Sequence, residues 1–148
     1  MEKLVLEENN DAVYRLQIND SDTYIEFDLL DMSLPVKILN ATEKLEKIDE
    51  DYANKTKEIE ENEKDEVEKA RKLIKLDEDY AKEMRNNLDS FLGEGACQKI
   101  FGDKERYGQY NRLMGALTPH FEKMRFDIDK AKKRIIEELK KAQKSDVM

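Results

Sequence analysis

Two side chains of this chain carry reactive chemistry, and each is alone of its kind: Cys97 and His120. A cysteine nucleophile needs a base beside it, and a zinc site needs several His or Cys ligands converging on one point. Cys97 stands between Ala96 and Gln98 with no base brought near it by sequence, so it reads as a small, partly buried apolar residue. His120 follows Pro119 in what reads as the first turn of a helix and is expected at the surface. The acidic run Asp49-Glu50-Asp51-Tyr52-Ala53-Asn54 lacks the glycine and closing glutamate of an EF-hand loop, so a solvated helix face is expected there. Gly93-x-Gly95 follows a helical pattern instead of a strand and lacks the third glycine of a dinucleotide loop. No set of residues makes a credible active site. The chain is expected to be a non-enzyme with no metal and no cofactor.

The elements that carry these residues are set by composition. Charged residues make up 42% of the chain and hydrophobic ones 39%, with no tryptophan, which suits helices with a narrow apolar stripe and not a thick core. At 148 residues one small domain, or one with a helical arm, is expected. The formal net charge of −8 makes nucleic-acid binding an unfavoured reading, because phosphate contact needs an excess of Lys and Arg. The lone cysteine, the absence of a secretion pattern at Met1-Glu2-Lys3-Leu4 and the lack of a long apolar run predict a cytoplasmic protein with no membrane span.

A mainly α fold with an N-terminal β-hairpin is expected, in three stretches: a hairpin segment over 1–32, a long helical or coiled-coil region over 33–92, and a glycine-punctuated helical region over 93–148 that joins 1–32 in one compact unit. Residues 12–18 and 23–29 alternate apolar and polar side chains around the turn formers Asn19-Asp20-Ser21-Asp22, which predicts the hairpin. One hairpin alone is marginal in water, so its apolar face must rest on a helix or pair with another chain. Leu4-Val5-Leu6 could add a third strand. Ser33 reads as an N-cap with Pro35 in the first turn. Ile38, Leu45, Tyr52 and Ile59 then recur every seven residues, with Ala41 and Ile48 between them, as a coiled-coil seam suited to self-association. The eight-residue step from Ile59 to Val67 breaks that phase. It predicts either one long helix or a helical hairpin turning near Asn62-Glu63, and the absence of Gly or Pro there favours continuity. Glu60–Lys64 is an expected i,i+4 ion pair.

Phe91-Leu92-Gly93-Glu94-Gly95-Ala96-Cys97-Gln98-Lys99-Ile100-Phe101-Gly102 holds three of the five glycines. Gly93 and Gly102 read as helix ends around a short helical segment. Asp103 reads as the N-cap of a short helix carrying Tyr107, Tyr110, Leu113, Met114 and Leu117. Thr118-Pro119 reads as the start of a last helix, with Phe121, Met124, Ile128, Ala131, Ile135, Leu139 and Ala142 on one stripe.

The block Phe91-Leu92-Gly93-Glu94-Gly95 and Lys99-Ile100-Phe101-Gly102, with the polar stretch Asp103-Lys104-Glu105-Arg106 after it, resembles tail assembly chaperones of phages that infect Gram-positive bacteria. The motif covers about a dozen residues, and the order hairpin, helices, glycine block, terminal helix is similar over most of the chain. The resemblance implies a protein that binds and solubilises the tape measure protein, or another tail protein, in the bacterial host cytoplasm during tail assembly. Apolar clustering and that analogy together make Phe91, Leu92, Ile100, Phe101, Tyr107, Tyr110, Leu113 and Met114 the expected partner-binding residues. The competing expectation is a structural coiled-coil homo-oligomer or minor tail component without a client, paired through Ile38, Leu45, Tyr52 and Ile59.

Overall fold

Strand alternation and helical periodicity both hold in the computed structural model, which describes residues 1–5 and 12–146. The elements run β1 (Val13–Gln17), β2 (Tyr24–Asp28), α1 (Leu34–Asn62), α2 (Glu66–Leu92), α3 (Ala96–Phe101) and α4 (Gln109–Asp146). The protein is mainly α, with an N-terminal antiparallel hairpin leading into long helices. It divides into two units, one of residues 1–34 and 120–148 and the other of Pro35–Pro119. The division falls at Pro119 and not at Gly93, so the glycine block groups with α1 and α2 and not with the N-terminal strands.

In the first unit β1 and β2 pair from Val13↔Asp28 to Gln17↔Tyr24. Asn19 turns the chain at φ 52, and the Ser21 hydroxyl donates to the Ile18 carbonyl at 2.6 Å. The outer face carries the cross-strand ion pair Arg15–Glu26 at 2.7 Å. The inner face buries Ile25 and Phe27. This face rests on a helix, where Phe27 meets Phe121 edge-on at 6.3 Å beside buried Met124. His120 departs from expectation: it is half-buried, with its Nδ1 2.8 Å from the Tyr14 hydroxyl. A helical residue facing a sheet has a polar partner available that sequence alone does not reveal. Leu4 and Val5 are exposed and outside any strand, and Leu6 lies outside the described residues, so among the described residues the sheet has two strands.

In the second unit α1 and α2 are separate helices that turn through Glu63–Asp65, so the helical hairpin is adopted and the continuous helix is not. Three interhelical hydrogen bonds step in opposite directions along the two: Asn87 to the Ala41 carbonyl (3.0 Å), Tyr80 to Asp49 (2.6 Å) and Tyr52 to Asp77. No glycine is needed at the turn because side chains close it. Asp65 caps α2 by accepting from the Val67 N–H at 3.0 Å, and Glu63 receives Lys72 at 2.6 Å. Lys64 lies in the turn, so the expected i,i+4 pairing with Glu60 has no helix to act on.

Two further helix starts differ from expectation. Asp103 accepts from the Gln98 side chain at 3.0 Å, and the next helix begins at Gln109. Pro119 lies inside α4 and does not open a new helix. Proline withholds the N–H that would bond the carbonyl four residues back, and its ring crowds that peptide. Here the residue four back is Gly115, which has no side chain of its own to crowd, and the Thr118 hydroxyl donates to the Met114 carbonyl at 2.9 Å.

Candidate functional site

Lys44-Leu45-Glu46-Lys47-Ile48-Asp49-Glu50-Asp51-Tyr52-Ala53 on α1 and Lys72-Leu73-Ile74-Lys75-Leu76-Asp77-Glu78-Asp79-Tyr80-Ala81 on α2 are two copies of one pattern, K-L-x-K-[IL]-D-E-D-Y-A. In the hairpin the copies run antiparallel and bond reciprocally. Tyr52 donates to Asp77 of the second copy, Tyr80 donates to Asp49 of the first, and the two rings lie 4.5 Å apart. The acidic run expected as a plain solvated face therefore supplies, at Asp49, an acceptor that holds the hairpin together. The repeat was legible in the sequence; comparing the chain with itself at a shift of 28 positions exposes it.

The hydrogen bond to Asp77 holds the Tyr52 phenol up at about 12, and burial, ahead of the bond to Asp49, raises Tyr80 as well. A tyrosine whose folded pKa lies above its free value of 10.0 stabilises the fold fully below pH 10. That contribution is lost as pH rises from there toward 12. Urea stability should accordingly ease down from about pH 9, where the enclosed Cys97 thiol begins to lose its contribution, and fall more steeply above pH 10. The Tyr52→Phe/Tyr80→Phe double variant should start about 1–2 kcal/mol lower and fall less steeply. Equal alkaline slopes in the two proteins would exclude the clasp as their source.

One helical turn beyond the second copy, α2 grips the glycine block. Gly95, the N-cap residue of α3, is in the left-handed region (φ 77) and has no side chain to cap with. Asp89 does it from α2, accepting from the Cys97 N–H at 2.8 Å. At the other end Arg85 donates to the Gly102 carbonyl at 2.9 Å and the Lys104 carbonyl at 3.3 Å. An acid thus sits at the N-terminus of α3 and a guanidinium at its C-terminus, the arrangement a helix dipole favours. Both come from positions i and i+4 of one helix. Arg85 also binds Glu105 and the Tyr110 hydroxyl (3.0 Å), and Tyr110 in turn donates to Glu105. Buried Gln109 fastens the same loop, donating to the Lys104 carbonyl at 3.1 Å. Burial pushes the Cys97 thiol up to about 12, so it is an unreactive packing residue and not a nucleophile.

Between this clamp and the second copy of the repeat lies a pocket of ≈ 170 Å³ lined by Asp77, Tyr80, Ala81, Glu105, Arg106, Tyr107 and Tyr110. Tyr107 is 82% exposed, yet its hydroxyl donates to Asp77 at 2.9 Å, which fixes the ring at the mouth of the pocket. The larger groove on the flank of the hairpin is lined by both signs, Lys55, Arg71, Lys72, Lys75 and Lys82 with Asp51, Glu58, Asp79 and Glu83, a near balance that selects no strongly charged ligand.

Of the residues expected to meet a partner, Tyr110 and Met114 are buried within the chain. Phe91, Leu92, Ile100, Phe101 and Leu113 are half-buried around α3 and the start of α4, and Tyr107 projects. Phe101 packs edge-on against Tyr110 at 5.4 Å. Of the self-association seam, Leu45 is buried and Ile38, Tyr52 and Ile59 are half-buried, with Tyr52 committed to Asp77 on α2. Among the described residues no cluster of three or more His, Cys, Asp or Glu is arranged to hold a metal ion, and no helix is long and apolar enough to cross a membrane. No family model, no curated protein and no solved structure matches this chain.

Proposed function

We propose that the chain is a non-enzymatic protein-binding module that holds an apolar, helical client, in the manner of the tail assembly chaperones it resembles, whose client is the tape measure protein. The observation that carries this reading is Tyr107: a large aromatic ring 82% exposed, yet oriented by its bond to Asp77 beside a small pocket. Interface energy concentrates on aromatic anchors of this kind, and a side chain fixed before binding loses little rotamer freedom on contact. Half-buried Ile100, Phe101, Phe91 and Leu113 supply apolar surface on the same unit. The surplus of carboxylates gives coated complexes like charge, which keeps them apart in solution.

The test is co-expression with a helical tape measure fragment from the same genome, read by size exclusion with light scattering. A soluble complex is expected where the fragment alone precipitates. Tyr107→Ala should weaken retention of the fragment by on the order of thirtyfold, with an unchanged thermal midpoint. Tyr107→Phe, which keeps the ring and loses its tether, should fall between. Undiminished retention by the alanine variant would remove Tyr107 as the anchor, and a fragment that precipitates regardless would remove the client.

A further inference from the structure

The two copies of the K-L-x-K-[IL]-D-E-D-Y-A pattern make, inside one chain, the kind of contact that a two-fold axis makes between two chains. In an isologous interface residue i meets j and j meets i. Here the Tyr of each copy donates to the Asp of the other, Tyr52 to Asp77 and Tyr80 to Asp49. The copies are 28 positions apart, a whole number of heptads. In a helix wound to 3.5 residues per turn, Leu45, Ile48 and Tyr52 would fall on the same stripe as Leu73, Leu76 and Tyr80. The turn between them is three residues, Glu63, Lys64 and Asp65. It contains no glycine or proline, and Glu and Lys are good helix formers.

We propose that the helical hairpin opens at Glu63–Asp65 and exchanges with a second copy of this chain, α1 of each pairing with α2 of the other across a two-fold axis at the turn. Short hinge loops favour such exchange, because an identical set of contacts is available between chains. In the exchanged dimer residues 63–65 continue the helix, and Tyr52 donates to the second copy's Asp77 while Tyr80 donates to its Asp49. The contacts of the first unit between Tyr14 and His120 and between Phe27 and Phe121 are remade in the same way, since their partners also lie on opposite sides of the turn. The closed form is held by the Asp65 cap on Val67 and by the Glu63–Lys72 pair. Those two local contacts set the balance between one chain and two.

The full-length protein and two variants, each refolded from urea at a series of concentrations and sized by light scattering, test this. Glu63→Ala/Lys64→Ala/Asp65→Ala removes both closing contacts and leaves a strong helix former at every hinge position, so its dimer fraction should be the highest. Inserting Gly-Gly between Lys64 and Asp65 keeps the Asp65 cap and both side chains of the Glu63–Lys72 pair, lengthens the turn and penalises a continuous helix. Its dimer fraction should be lower than that of the alanine variant by at least about tenfold. Circular dichroism of each monomer verifies the fold. Equal dimer fractions in the two variants, including none in either, overturn the proposal, as does a dimer that the insertion leaves undiminished, which would be a side-by-side association.

Discussion

Leu88→Ala should lower the unfolding free energy by about 3–4 kcal/mol, the range for removing a fully enclosed leucine whose site cannot collapse. Leu88 and Met84 are both 0% exposed, one turn apart on α2. Asn87 between them is anchored to the Ala41 carbonyl of α1 at 3.0 Å, so that hydrogen bond resists the movement of α1 that would fill the cavity. Within the same unit the facing helix offers Ala41, Leu45 and Ile48 as its buried residues, a narrow stripe with little spare volume. A domain of this size has about 5–15 kcal/mol of stability in all, so the loss is a large share of it. In urea the midpoint should fall by more than about 1 M with an unchanged slope. Ile74→Ala on the same helix makes the comparison, because Ile74 is 59% exposed and its removal should change stability by no more than about 0.5 kcal/mol. Equal losses for the two would mean that α2 is not held through this stripe.

The contrast between Leu88 and Ile74 marks what could and could not be read from the chain. Local signals were legible. The alternation around Asn19–Asp22 gave the hairpin, and Gly93 and Gly102 ended α2 and α3 because no other residue type is as easily accommodated at φ 115 and φ 62. Signals that act across the fold were not. The turn at Glu63–Asp65 is closed by side-chain caps and not by glycine or proline, so a search for helix breakers passes over it. Pro119 carries the usual mark of a helix start, but a helix continues through it where Gly115 stands four residues back. Tyr110 looked like a binding residue because aromatic rings mark interfaces, whereas its ring is enclosed and its hydroxyl belongs to the Glu105–Arg85 group. The Tyr–Asp clasp was an intermediate case, since its repeat stood in the sequence and only the pairing needed the fold.

The second large effect concerns Arg85. Arg85→Met should lower stability by about 2–3 kcal/mol, below the range for breaking a fully buried charge pair because Arg85 is only half-buried and Glu105 keeps 42% of its side chain in solvent. The greater consequence is local. With the guanidinium gone, the Gly102 carbonyl loses its donor, the Lys104 carbonyl keeps only Gln109 and Tyr110 loses a partner, so of the two polar side chains that α2 sends to α3 only Asp89 remains. A six-residue helix has no standing stability of its own in water, so α3 should open ahead of the rest. Cys97 reports that opening, because its thiol is enclosed, 3.8 Å from the Arg85 carbonyl, and reacts only when α3 lifts away. Labelling of Cys97 by a thiol reagent under native conditions should accelerate in Arg85→Met by more than its global loss of stability explains. In Leu88→Ala the acceleration should follow global stability alone. Arg85→Lys restores the charge but not the fork that reaches two carbonyls and a carboxylate together, so its labelling should stay near that of the methionine variant. If Cys97 in Arg85→Met labels only at the rate of global unfolding, α3 is held by its packing and not by the clamp. In that case the surface around Ile100 and Phe101 owes its position to the buried stripe of α2, and a client that pulls on α3 would have to unfold the hairpin to move it.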